Sequence, residues 1–318
     1  MKNRLAIAGT LCALISLIFA AGAAADSARG AIGVCAQLIL PSLFPFFVLS
    51  ILLNKLGLPA KLGRRLEKSA QKLFGVSGSG MTALLIGLTG GYPLGAGYIA
   101  DMLENGSISR GEGERLLAFC NNSGPAFLIG AVGVGVFHSA QIGLFLYAVH
   151  AAAAVLAGLL LRKKQDAFPK NEAAPSDLPF SVAFPQAVRQ AVSSVLAICG
   201  FVVCFTVLIA LLDVRGHFSL LATHLAAAGH MELQTARALL TGFWEIGSAV
   251  GAMQGLSPSP LNLCVSAAIL GWGGLSVHFQ TAAVLCDAEL SMKKHLLGRL
   301  LSAGLSAALC LAACRLVL

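Results

Sequence analysis

The sequence predicts an all-α polytopic membrane protein: an inverted-topology repeat with two re-entrant hairpins, two interfacial amphipathic helices and about seven spanning helices. Composition predicts the membrane, since 57% of the residues are hydrophobic and only 11% are charged, against about 25% charged in soluble domains. Mean hydropathy is +0.82, and long apolar runs recur along the whole chain, more than a water-soluble core absorbs. Two segments, Gly242-Phe243-Trp244-Glu245-Ile246-Gly247-Ser248-Ala249-Val250-Gly251-Ala252 and Gly87-Leu88-Thr89-Gly90-Gly91-Tyr92-Pro93-Leu94-Gly95-Ala96, are apolar on both flanks yet broken by glycine. Paired breaks in corresponding segments of two halves point to the binding site of a transporter.

Residues 1–28 form an extra N-terminal segment. Lys2 and Arg4, the apolar run Leu5 to Phe19 and the following Ala-Gly-Ala-Ala-Ala-Asp fit a secretory signal or a first transmembrane helix. The uncleaved helix is the preferred reading, because nothing soluble follows that needs secretion. The first repeat covers 29–165. Arg29 to Leu53 spans, with Pro41 and Pro45 expected to kink it. Residues 54–80 carry Leu58, Leu62, Leu66, Ala70 and Leu73 at helical spacing among six basic residues, which describes a helix lying on the membrane surface. Residues 81–103 are the first broken hairpin. In the polar loop after it, Ser109 and Glu112 have the spacing of a capping box. Leu116 to Phe137 is apolar but interrupted by Asn121-Asn122-Ser123-Gly124-Pro125, and Gln141 to Leu161 spans again.

A charged, proline-bearing linker, 166–182, separates this half from the second, 183–318. There the order repeats: a span at 187–212, a weakly amphipathic 213–237, the second broken hairpin at 238–255, an apolar 261–285 interrupted at Gly271-Trp272-Gly273-Gly274, and a final span from 296. The motifs keep similar distances, 34 residues from Gly87 to Asn121 and 29 from Gly242 to Gly271. Charge sets the orientation, because cytoplasmic loops are rich in lysine and arginine. It places 54–80, 162–180 and 286–299 (Lys293, Lys294 and Arg299) inside and 213–237 outside. Three apolar segments separate the first two basic loops, so one of them enters and leaves on the same side. The glycine-broken 81–103 is that segment, and the same parity makes 238–255 re-entrant from outside.

Non-helical backbone at membrane depth is tolerated where it is buried in protein or lines a wet cavity. The candidate substrate-binding residues therefore lie at the breaks: Thr89, Tyr92, Asn121, Asn122, Ser123, Glu245, Ser248, Ser276 and Gln280. Intramembrane carboxylates are functional-site hypotheses by default, so Glu245 is read as binding a substrate hydroxyl, a cation or a proton; the alternative is pairing with a neighbouring helix or facing the outer interface. Asn121, Asn122 and Ser123 either hydrogen-bond a ligand or cap helices. His150 reads as a packing histidine. The nine cysteines form no C-x-x-C pair, and no metal, catalytic constellation, Walker motif or dinucleotide fingerprint is expected. No cofactor is expected beyond a coupling proton or cation. The expected partners are a small-molecule substrate and membrane lipid, not nucleic acid; a homo-oligomer stays open.

Leu40-Pro41-Ser42-Leu43-Phe44-Pro45-Phe46-Phe47, Gly87 to Ala96 leading into Asp101, Ile108-Ser109-Arg110-Gly111-Glu112-Gly113-Glu114-Arg115 and Asn122-Ser123-Gly124-Pro125-Ala126-Phe127 carry a resemblance over nearly the whole chain after residue 30. The chain resembles the sporulation integral membrane proteins, which bear the nucleoside-recognition or Gate domain and are similar to the core of concentrative nucleoside transporters. Tyr92 with the short Gly90-Gly91 step, and Glu245-Ile246-Gly247 in place of a Glu-x-Thr, depart from the usual pattern. The resemblance implies a transporter-like core with two opposed hairpins, a bacterial membrane location and, in sporulating bacteria, movement of dipicolinate across the outer forespore membrane. The function expected is thus a secondary transporter or permease, not an enzyme. The alternatives are a nucleoside-type solute and a non-transporting membrane scaffold of a sporulation complex.

Overall fold

A computed structural model describes residues 2–163, 178–288 and 290–318. Alanine- and leucine-rich sequence is a good helix former, and in a bilayer the helix satisfies every backbone group within its own segment. The described chain is accordingly all-α. Helix α1 covers Lys2–Phe19 and α2 covers Ala21–Lys55. The boundary between them falls at Ala20 rather than near residue 28, because the alanine run at 20–25 continues the next helix instead of ending the first. The kink expected from Pro41 takes the form of a wider π-helical turn over Cys35–Ile39, just ahead of it. A proline supplies no N–H to the preceding turn, and the π turn accommodates that loss.

Helix α3, Leu58–Phe74, lies between Gly57 and Gly75, both with left-handed backbone, and turns through 90° into the next helix. It buries Gly63, Ala70 and Phe74 and exposes Lys61, Arg64, Arg65, Lys68 and Lys72, as an interfacial helix does. The first hairpin is α4, Gly78–Gly90, and α5, Leu94–Glu104. Ser109 accepts from the Glu112 N–H at 3.2 Å, so the expected cap starts α6, Arg110–Cys120, earlier than the apolar pattern does. The π-helical α7, Ala126–Val134, and α8, Ala140–Leu160, complete the first half. The second half follows in the same order: α9 (Phe180–Asp213), α10 (His217–Gly229), the hairpin α11 (Leu233–Trp244) and α12 (Ile246–Met253), then α13 (Pro260–Trp272), α14 (Gly274–Val284) and α15 (Met292–Ala313). Most of the expected linker 166–182 lies outside the described residues.

Among the described residues five helices are long and apolar enough to cross a membrane, or six if the bent pair α3–α4 is one span. This is fewer than the seven expected. The apolar part of α1 is short, and 116–137 is divided between α6 and α7 by extended backbone at Asn121. Two long helices, α2 and α9, pack against each other; each is about 50 Å long at 1.5 Å per residue. Ala183, Ala187 and Ala191 are fully buried at four-residue spacing on α9, the small-residue stripe that lets two helix backbones approach. Helix α15 is held equally close by α6 and α13. A Cβ on Gly298 would sit 2.6 Å from the Cα of Ala118 in α6, and one on Gly271 in α13 would sit 2.6 Å from the Cα of Ala303.

Candidate functional site

Helix α4 ends at Gly90 because Gly91 takes φ +84, and Tyr92-Pro93 follows before α5 begins. Gly91 also has no room for a side chain: a Cβ there would lie 2.9 Å from the Gly124 nitrogen. Hairpin tip and helix break therefore meet backbone to backbone. Above them the Tyr92 hydroxyl lies 3.1 Å from Ser123 Oγ.

The break between α6 and α7 frees backbone groups, and neighbouring side chains take them up. Asn122 Nδ2 donates to the Phe119 carbonyl at 2.7 Å, closing the end of α6. The Ser123 N–H donates to His150 Nε2 at 3.1 Å, which gives His150 a role beyond packing. Asn121 Nδ2 donates to Thr281 Oγ1 on α14 at 2.7 Å. Asn121, Asn122 and Ser123 are buried and tie hairpin, break and α14 into one network.

The second hairpin is built differently at its tip. Glu245, completely buried, is the N-cap of α12. Its carboxylate accepts from the Gly247 N–H at 2.9 Å, from the Ser248 N–H, and from Ser276 Oγ at 3.3 Å. Free N–H groups and the helix dipole at such an end favour negative charge. The facing break repeats the first in mirror roles: Gly273 and Gly274 have φ +88 and +83, and a Cβ on Gly274 would lie 3.1 Å from the Gly242 carbonyl.

The two tips converge. Gly90, Gly91, Tyr92, Glu245, Ile246 and Gly247 line one small central cavity with Gly124, Phe127 and Gln280, closed by Ile39 and Leu43 of α2 and Ile198 and Val202 of α9. At about 20 Å³ it has room for about one water. Two larger cavities flank it along the same pair of helices. One, of about 230 Å³, lies toward the α3 end and is lined by Ser50, Asn54, Tyr98, Asp101, Gln190 and Ser194. The other, of about 410 Å³, lies toward α10 and is lined by Ser27, Thr206, Asp213, Gln234, Arg237 and Ser248.

Of the residues read from sequence, Tyr92, Asn121, Asn122, Ser123, Glu245, Ser276 and Gln280 come together here. Thr89 does not: it is exposed and bonds back to the Leu85 carbonyl at 2.8 Å. Ser248 stands one layer away, its hydroxyl 2.5 Å from Thr206 Oγ1 on α9. The largest correction is Arg299. Counted from sequence among the basic residues of a cytoplasmic loop, it lies inside α15 and is 1% exposed, with Nη2 donating to Asn122 Oδ1 at 3.0 Å and Ser302 Oγ at 3.1 Å. His295, one turn before it, bridges His278 (3.1 Å) and the Leu117 carbonyl (3.1 Å). The signal was present in the spacing of His295, Arg299, Ser302 and Ser306, which put four buried polar groups on one face of α15.

No family model matches the chain. It is 33% identical over 291 residues to the sporulation integral membrane protein YlbJ of Bacillus subtilis (strain 168), a match covering 83% of this chain and 71% of that protein. Among solved structures it is similar to the concentrative nucleoside transporter CNTnw in an inward-facing substrate-bound state, with a TM-score of 0.59 at 15% identity over 97% of this chain and 86% of that one. A doubly substituted CNTnw in an outward-facing state gives 0.56 at 14% identity over 98% and 87%. At these identities the likeness establishes the fold.

Proposed function

Because this chain belongs to the family of the sporulation integral membrane protein YlbJ, we propose that it is a secondary transporter carrying a small polar or anionic solute across the membrane. The observation that carries this reading is the row of cavities along α2 and α9. On α2 the lining runs from Ser27 through Ile39 and Leu43 to Ser50 and Asn54, and on α9 from Asp213 through Val202 and Ile198 to Gln190. Two vestibules, each lined in part by polar side chains, are thus separated by a closed centre at which both hairpin tips meet. Alternating access needs a site that opens to one side at a time, and the paired broken hairpins are the movable parts that such transporters use.

In this reading 29–165 and 183–318 are halves of opposite orientation, with the α3 cavity cytoplasmic and the α10 cavity external. Glu245 couples a proton or cation to transport, and dipicolinate is the solute that the family relation favours. A nucleoside-type solute is the second reading. It is supported by the buried amide oxygens of Asn121 and Gln280, which have no partner among the described residues and would accept from uncharged N–H or O–H groups. Purified protein in lipid vesicles tests the proposal. Uptake or release of dipicolinate above that of protein-free vesicles is expected. Vesicles that move neither dipicolinate nor uridine under proton or sodium gradients would turn the reading toward a scaffold.

A further inference from the structure

A buried arginine normally has a carboxylate beside it, because one charge taken out of water without a counter-charge costs several kcal/mol. Arg299 is 1% exposed, and its two hydrogen-bond partners, Asn122 Oδ1 and Ser302 Oγ, are neutral. Its Nε and Nη1 are buried with no partner among the described residues. The buried carboxylate nearby in the site, Glu245, is engaged by Gly247, Ser248 and Ser276 instead. A role confined to clamping Asn122 leaves the charge and both remaining donors unexplained; a glutamine or lysine could clamp the same oxygen. We infer that Arg299 contacts the transported solute and selects it by charge, pairing with a carboxylate group of a small organic acid.

This rests on the transporter reading and extends it to a helix, α15, that the hairpin motifs leave out. Arg299 stands just behind the wall of the central cavity. Tyr92 lines that cavity, its hydroxyl meets Ser123, and Ser123 neighbours the Asn122 that Arg299 holds. The Tyr92–Ser123 hydroxyl contact at 3.1 Å links that cavity to the residues that hold Arg299. The surroundings choose the anion. Unpartnered acceptors, Asn121 Oδ1 and Gln280 Oε1, lie in the same polar core and confine the negative end of the solute to the guanidinium. One guanidinium matches one carboxylate, in charge and in planar geometry.

The test compares solutes of one shape and different charge on full-length protein in detergent and in vesicles. Pyridine-2,6-dicarboxylate, its uncharged diamide, uridine, inorganic phosphate and chloride are the probes, and wild type, R299Q, R299K and N122D the proteins. Wild type should bind and carry the dicarboxylate at least tenfold better than the diamide. R299Q should lose that preference tenfold or more, and R299K should recover part of it. In N122D a carboxylate within the protein, at the position 3.0 Å from Arg299, should compete with the solute's and also lower the preference at least tenfold. Should R299Q not fold, N122D and R299K carry the same test. Equal losses for dicarboxylate and diamide, or no loss for either, would overturn the role of Arg299 and leave transport standing. Transport of the dicarboxylate by R299Q at the wild-type rate would do the same. Binding of phosphate or chloride with the same dependence on Arg299 would replace the organic acid by an inorganic anion and overturn the inference. Failure of wild type to bind or move any probe would remove both readings.

Discussion

Glu245 has two jobs that substitution can separate. As the N-cap of α12 it satisfies the Gly247 and Ser248 N–H groups, and as a buried carboxylate it is the candidate coupling group. Glutamine keeps an acceptor oxygen and discards the charge. Glu245→Gln is therefore expected to express and fold normally while transport falls sharply or loses its dependence on pH or a cation gradient, measured by vesicle uptake across a pH series. Glu245→Ala removes the cap as well and should cost about 1–2 kcal/mol of stability, seen as a lower Tm. Uptake by Glu245→Gln with the full wild-type response to pH and cations would reduce the residue to its structural job. Asn122 likewise closes α6 and holds Arg299. Asn122→Ala should weaken apparent solute affinity by about 1–3 kcal/mol, the cost of leaving a buried partner unpaired. An unchanged concentration dependence of uptake would place Asn122 outside the site.

At the scale of helices the sequence was most legible where the chain refuses to be helical. Gly90-Gly91, Asn121 to Pro125, Glu245 and Gly273-Gly274 mark breaks in any tertiary context, since positive φ, a missing N–H or a capping side chain acts locally. All four breaks lie where the pattern put them. The direction in which a side chain points was less legible. Thr89 stands beside a break but faces outward, because the rotation of α4 is fixed by its packing and not by its glycines. Arg299 was misread for the same reason. A lone arginine near the start of an apolar run looks alike in a loop and in a core, and what distinguishes them is the contact of Gly298 with α6. The proposed inverted repeat makes a prediction at this scale. Single cysteines at Asn105 and Ser257, both exposed, in a cysteine-free background should react with impermeant reagent from opposite faces of the membrane, Asn105 from inside and Ser257 from outside. Ser107, next to the first, is only 3% exposed and would label poorly. Reaction of both positions from one face would end the inverted repeat.

For the molecule as a whole, the centre between the two vestibules is closed, so the proposed transport requires the hairpins to part from α2 and α9. Thr206 on α9 and Ser248 on α12 touch at 2.5 Å on the α10 side. Cysteines at both positions should cross-link on oxidation, block uptake and release it again on reduction. A cross-linked protein that still transports at full rate would take the α10 vestibule off the path. The polar face of α15 has a different consequence, for biosynthesis. His295, Arg299, Ser302 and Ser306 have partners or cover only when α15 lies against its neighbours. An arginine at the centre of a lone helix costs about 2.5–3.5 kcal/mol to insert, an upper bound for Arg299, which lies nearer the start of α15. α15 is thus poorly suited to settle in lipid alone, and the α6 and α13 surfaces made before it wait uncovered until it arrives. Between synthesis of α13 and docking of α15 the nascent chain is therefore expected to be at its most exposed to membrane proteases.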